Sequence, residues 1–304
     1  MWKIYGILTF VMVAWGLNLP MLKYLLQYVG PVTMTSFRIF SAGVIVFLIL
    51  CSLRIVRMPR RSEWKYIIPG MLLNVVAHHY FLNNGLTMTS GTNAGLILGT
   101  GPFLTAVFSS ILIRVSPTKI QWLGVLLGLL GVSSVVLADG GLSGISRGDV
   151  YIFLAIFVQV LSFLIVAKAA ATIDPRLLTA YMLILGGSTL FVISLAAEPG
   201  ELAAFQSVPP SFWLVFAVSA IFGTAVSHML YNYSVGQAGP TKAAIFMNLN
   251  TLVSLAGSAL FLGEAITARH LAGLFFIILG VLLGSGAAED LLRKRRVEVE
   301  VGNR

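Results

Sequence analysis

One stretch of this chain is written twice. Residues 64–134 return at an offset of 149 without a gap. Trp64 returns as Trp213, His79 as His228, Asn83 as Asn232, Thr92 as Thr241, Ala94 as Ala243, Thr118 as Thr267, Gly124 as Gly273 and Gly131 as Gly280. His and Asn are rare in apolar helices, so their joint return marks a duplicated unit, and a repeat constrains the fold before any local pattern does. In each copy the His and Asn stand four residues apart, on one face of a helix. Two such faces meeting across a pseudo-two-fold axis would enclose a polar pocket in an apolar bundle.

The bundle is expected in a membrane. Apolar residues make up 58% of the 304 and charged residues 10%, against about 25% charged in soluble domains; mean hydropathy is +0.93. A spanning helix needs about 20 apolar residues. Ten such spans are expected: 4–24, 33–53, 65–87, 93–113 and 119–138, then 149–170, 177–197, 212–234, 242–262 and 269–288. Turn and charge signals break them, among them Gly30-Pro31, Ser116-Pro117, Asp174-Pro175 and Gly239-Pro240. No separate soluble domain fits in what remains. The N-terminal apolar run has no small-residue cleavage site and reads as the first span. Cys51 is the one cysteine, which excludes an internal disulfide.

Basic residues set the orientation. With the N-terminus cytoplasmic, sixteen of the 20 Lys and Arg fall on the inner side and three on the outer, with Arg38 inside the second span. The net charge of +9 therefore reads as a mark of the cytoplasmic face and not of nucleic-acid binding. Five helices per copy is an odd number, so directly joined copies enter the membrane in opposite senses. Inverted repeats around a midplane site are the plan of many secondary transporters. The expected fold is an all-α integral membrane protein of ten transmembrane helices, two inverted-topology five-helix repeats, with both termini cytoplasmic. It would sit as a multi-pass protein in the inner (plasma) membrane.

Gly239-Pro240-Thr241-Lys242-Ala243-Ala244, Asn248-Leu249-Asn250, Leu262-Gly263-Glu264 and Gly280 to Gly284 recur in a known pattern, as do Ala14-Trp15-Gly16, Pro31 and Arg38. The chain resembles the EamA family of the drug/metabolite transporter superfamily over nearly its whole length. Within it, the likeness is to YddG-type exporters of aromatic amino acids. Arg114-Val115-Ser116 departs from the pattern that Gly263-Glu264-Ala265 keeps. The resemblance implies EamA-type repeats over 1–140 and 147–288, followed by a cytoplasmic tail, 289–304. It also implies a central cavity lined by the first, third, fourth, sixth, eighth and ninth spans, and export by alternating access.

The residues point to the same spans. The third is the most polar: Asn74, His78, His79, Asn83 and Asn84. Polar groups in hydrocarbon turn to the bundle interior or to water. At 100° per residue Asn74 and His78 form one stripe, and His79 and Asn83 another. The repeat selects the second, leaving Asn74 and His78 to packing. His79 and His228 are the leading pocket candidates, with Asn83, Asn232 and Tyr231 beside them; interhelical bonding is the alternative for the two Asn. Gly99-Thr100-Gly101-Pro102 interrupts the fourth span, where Pro102 leaves the Leu98 carbonyl without its helical partner. Asn248-Leu249-Asn250-Thr251 is the matching stretch of the second copy, and interrupted or polar helices at corresponding places mark a transport site. Leu98, Thr100, Asn248 and Asn250 are therefore candidates. Trp15 either stacks on substrate or packs between helices, and Gln159 in the sixth span is a further pocket candidate.

All eleven acids lie in loops, at span ends or in the tail, so no midplane carboxylate is available for ion coupling. Protons, if coupled, would fall to His79 or His228. Lys23, Arg38 and Lys168 all sit toward membrane ends; Arg38 would either gate the outer mouth or meet an acidic loop residue, the structural role being the favoured one. Such a pocket suits a neutral or zwitterionic substrate. No metal-spaced ligand set, phosphate loop or Ser-His-Asp set appears, so neither an enzyme nor a cofactor is expected. The expected partners are a small-molecule substrate and the lipid bilayer; no nucleic acid is expected, and the oligomeric state stays open. The reading is an exporter of small amphiphilic metabolites, foremost neutral or aromatic amino acids. A phosphate-substrate antiporter of the same fold is the alternative, and a non-transporting receptor or membrane enzyme stands further off.

Overall fold

The computed structural model describes residues 1–89, 91–114, 116–138, 146–262 and 268–284. The expected tail 289–304 and the Gly263–Glu264 turn lie outside the described residues. Those described are helical, with no strand among them. The first copy contains α1 (Trp2–Leu25), α2 (Pro31–Ser52), α3 (Trp64–Gly70), α4 (His78–Met88), α5 (Gly91–Leu98), α6 (Gly101–Leu112) and α7 (Lys119–Ala138). The second contains α8 (Arg147–Ala169), α9 (Pro175–Ala197), α10 (Pro210–Val218), α11 (Ser227–Ala238), α12 (Pro240–Ile245), α13 (Met247–Leu262) and α14 (Ala268–Gly284).

Among the described residues, five helices are long and apolar enough to cross a membrane: Trp2–Leu25, Pro31–Ser52, Arg147–Ala169, Pro175–Ala197 and Pro210–Ala238. Gly101–Leu112, Lys119–Gly131 and Phe275–Gly284 are shorter apolar helices. Helices suit this solvent because each satisfies its own backbone groups in lipid. Their starts carry the expected signals. Pro31 and Pro175 open α2 and α9, where the missing N–H is no loss. Ser146 and Asp149 cap α8 reciprocally.

The expected third and eighth spans are each built of three pieces. α3 runs through a π-helical stretch, Met71–Ala77, into α4. α10 does the same through Ser219–Val226 into α11. In a π turn each N–H reaches five residues back, so the helix widens by one residue per turn. His78 N–H bonds to the Leu73 carbonyl in this way. The two π stretches correspond under the sequence offset and end just before the His of each copy. Pro69 lies within α3, but Val218 stands at its counterpart, so the widening belongs to the shared pattern and not to the proline.

Two glycine seams join the copies reciprocally. A Cβ on Gly131 would stand 2.7 Å from the Gly273 carbonyl oxygen, and one on Gly280 2.8 Å from that of Gly124. Gly131 corresponds to Gly280 and Gly124 to Gly273, so the contact is its own mirror across a two-fold, the signature of an isologous interface. The pairing order makes α7 and α14 antiparallel. In the second seam, a Cβ on Gly43 would lie 2.8 Å from the backbone nitrogen of Ile184, and one on Gly187 2.7 Å from that of Phe40. This makes α2 and α9 antiparallel as well. Between the seams, α4 packs chiefly on α8, and α11 on α1. Each copy thus lays its His-bearing helix on the first helix of the other.

Candidate functional site

The two π stretches deliver their histidines to the same place. His79 and His228 meet with ring centroids 5.5 Å apart, and His78 lies 4.7 Å from His79. None of the ring nitrogens of His79 and His228 makes a formed hydrogen bond. Trp15 of α1 stands against His228 at 5.2 Å, its indole N–H also without a partner. These rings wall a cavity of about 50 Å³, completed by Asn18, Leu19, Leu22, Leu82, Leu98, Gln159, Gly223, Met247 and Asn250. Ligand pockets run to roughly 300–1,000 Å³, so in this conformation the chamber is contracted to the scale of a few waters. A larger cleft of about 230 Å³ lies between α1 and the Ser219–Val226 stretch. Exposed Phe10 and Phe222 line it; it is an apolar groove at the surface and not the polar chamber.

Of the residues singled out by sequence, Trp15, His79, Leu98, Gln159, His228 and Asn250 line the chamber. Asn83, Asn232, Tyr231, Thr100 and Asn248 do not. Asn83 donates to the His79 carbonyl one turn back in its own helix, at 3.0 Å. Asn232 donates to Thr179 Oγ1 of α9 at 2.9 Å. Tyr231, 0% exposed, is wedged between Trp15 at 4.9 Å and Phe163 at 4.7 Å. It backs the chamber wall without forming it. Thr100 donates to the Ile97 carbonyl at the break between α5 and α6. Asn248 points at Gly128 of α7, away from the chamber. The break in the second copy falls at Phe246, between α12 and α13, ahead of the Asn248–Thr251 stretch that sequence alignment matches to it.

The stripe assignment in α4 needs correcting for His78. Asn74 packs as expected, donating to Ser162 Oγ at 2.7 Å. His78 also engages a neighbouring helix, its Nδ1 lying 2.9 Å from the Ala155 carbonyl, yet its ring lines the chamber beside His79. The π stretch lies between Asn74 and His78 and so separates the two members of that stripe, while His78 and His79, adjacent in α4, both reach the chamber. Asn18 went unselected too, although it lies three residues from Trp15 and on the same face. It accepts from Ser219 Oγ at 2.6 Å and sits where a side chain on Gly223 would stand.

Arg38 also departs from expectation. Sequence placed it near a membrane end, gating the outer mouth or meeting an acidic loop residue. It is 0% exposed, and its Nη1 donates to Thr224 Oγ1 in the second π stretch. Two loop acids near the start of its helix serve the backbone of α2. Glu198 accepts from the Val32 and Thr33 amides and the Thr33 hydroxyl, and Glu201 from the Gly30 amide. No group of three or more His, Cys, Asp or Glu that could hold a metal stands among the described residues.

Comparison with known proteins adds to this geometry. A family model described as the EamA-like transporter family matches residues 2–137 and 146–286. The chain is 27% identical over 292 residues to an uncharacterized transporter, YyaM, of Bacillus subtilis, covering 93% of this chain and 94% of that protein. It is 24% identical over 288 residues to an uncharacterized inner membrane transporter, YedA, of Escherichia coli, covering 92% and 88%. A solved crystal structure superposes with a TM-score of 0.78 at 16% identity, covering 95% of this chain and 98% of that one, which shows a shared fold.

Proposed function

The chain belongs to the EamA-like transporter family, and on that premise we propose that it exports small amphiphilic metabolites by alternating access around the His79–His228 chamber. Neutral and aromatic amino acids are the substrates that suit it best. The observation that carries this reading is the ring contact between His79 and His228, equivalent residues of two copies brought face to face at 5.5 Å. A chamber lined by both copies is the element that a rocking motion between them can expose to either side.

The reciprocal, antiparallel seams support an inverted-topology repeat, with five helices in each of 1–140 and 147–288. The bias of basic residues supports cytoplasmic termini, and the likeness to an inner membrane transporter supports an inner membrane location. Trp15 and the two imidazoles supply flat surfaces for an aromatic or aliphatic side chain. Gln159, Asn18 and Asn250 supply neutral polar contacts for the substrate's polar end. The chamber is too small here for an amino acid, and substrate entry requires the walls to part.

Reconstitution into liposomes tests this. Counterflow of labelled L-phenylalanine and other neutral amino acids should run down an imposed gradient, and His79→Ala should cut it at least tenfold without lowering the amount of inserted protein. Undiminished flux from both His79→Ala and His228→Ala would refute the chamber as the transport site.

A further inference from the structure

Arg38 is the one wholly buried Lys or Arg among the described residues. Its Nη1 is used on Thr224, while Nε and Nη2 have no hydrogen-bond partner. Those two nitrogens share one edge of the guanidinium, and their N–H groups point the same way. That edge is the fork that grips a carboxylate with two parallel hydrogen bonds. A buried charge without a counter-ion is strongly unfavourable, and intramembrane cations are accordingly rare and functional. Water satisfies N–H groups but does not neutralise the charge.

No protein carboxylate answers it among the described residues. Glu63 is held by Arg57 and Asp174 by Arg176. Asp149 caps α8 and accepts from Thr89. Glu198 and Glu201 cap α2. The architecture does not need the charge either. The spacing that carries Gly43 to Gly187 and Phe40 to Ile184 carries Arg38 to Met182. Met182 is also wholly buried, packed on Gly70 beside the first π stretch. One copy fills this niche with an apolar thioether and the other with a cation.

Arg38 is linked to the chamber wall through Thr224. Thr224 adjoins Gly223, which lines the chamber, and its hydroxyl donates in turn to the Ser219 carbonyl. Ser219 Oγ donates to Asn18, another lining residue. We propose that the free Nε–Nη2 edge of Arg38 is the subsite for a monoanionic carboxylate of the transported molecule, whose apolar part occupies the aromatic chamber. The assignment rests on the transporter reading above and narrows its substrate to carboxylate-bearing, zwitterionic amino acids or aromatic monocarboxylates. One cation balances one carboxylate; a phosphate dianion would need a second, and none is buried there.

The test is ligand-dependent thermal stabilisation of the full chain purified in detergent, with L-phenylalanine, L-phenylalaninamide, benzoate and chloride as probes. Wild type should half-saturate with L-phenylalanine at a concentration at least tenfold below that for the amide. Arg38→Met, which copies the equivalent niche, should abolish that preference, and Arg38→Lys should keep only part of it. Equal response of wild type to acid and amide, no response to any probe, or full preference retained in Arg38→Met would each overturn the subsite. Chloride acting as well as benzoate would make it a halide site and overturn it likewise. Should Arg38→Met fail to fold, the wild-type ratio and Arg38→Lys still decide. Acid-selective binding without flux in liposomes would leave the subsite standing and sink the transport reading; equal flux of acid and amide would do the reverse.

Discussion

Glu198, at the C-terminal end of α9, holds the N-terminus of α2 through Thr33. Its carboxylate takes the Thr33 amide at 2.8 Å and the Thr33 hydroxyl at 2.7 Å, with the Val32 amide at 2.9 Å. The first N–H groups of a helix have no partner within it, and a carboxylate there also complements the helix dipole. Glu198→Ala should therefore lower stability by about 1–2 kcal/mol, read as a drop in the thermal midpoint in detergent. Glu198→Gln should retain part of the loss. An unchanged midpoint in the alanine variant would show that water caps α2 equally well.

The α7–α14 seam depends on the absence of side chains. A Cβ on Gly280 would lie 2.6 Å from the Gly128 backbone nitrogen, which cannot move aside as a side-chain tip can. Gly280→Val should force the helices apart and destabilise by roughly 1–3 kcal/mol. Gly6 has nothing within 4 Å of such an atom, so Gly6→Ala serves as the control and should be silent. Comparing the two midpoints separates crowding at the seam from a general effect of losing glycine.

Asn83 and Asn232 are equivalent in sequence but differ in what they hold. Asn232 ties α11 to Thr179 of α9, whereas Asn83 bonds within its own helix. A double-mutant cycle of Asn232→Ala with Thr179→Ala should give a coupling of about 0.6–2 kcal/mol, the range for interhelical bonds in membranes. Asn83→Ala should show no coupling to the matching position of α2. Additive behaviour of the Asn232–Thr179 pair would remove that bond from the account.

The loop before α3 carries an acid-sensitive contact. Arg57 grips Glu63 with two bonds of 2.6 and 2.8 Å, and this hydrogen bonding holds the Glu63 carboxyl below its ordinary range. A carboxyl depressed in the folded state stabilises above its unfolded pKa, and that stability is lost as pH falls through the folded value. The thermal midpoint should be flat from neutrality to about pH 5 and fall below about pH 4, near the ordinary Glu value. Glu63→Gln should start lower and flatten that limb. An equally steep acid limb in the variant would assign the loss to other carboxylates.

Much of the architecture is written locally. Apolar content far above that of soluble chains demands helices in lipid, and Pro31, Pro175 and the Ser146–Asp149 pair mark where three of them start. The repeat alone links Gly131 to Gly280 and His79 to His228. The break after Leu98 follows from Gly99 and Pro102.

What needed the tertiary structure is the direction in which the side chains between those marks point. Reading faces at 100° per residue assumes an α-helix throughout, and each π stretch adds a residue to a turn just before the histidines. The first stretch parts Asn74 from His78, while His78 and His79, neighbours in α4, both line the chamber. Equivalent residues also part company, because their neighbours come from elements distant in sequence. Thr179 claims Asn232, while Asn83 turns back on its own helix. Thr224 meets one edge of Arg38 and leaves the other bare. Composition and duplication follow from the chain's own order, but a partner across helices is set only when the bundle closes and each polar group must satisfy itself out of reach of water.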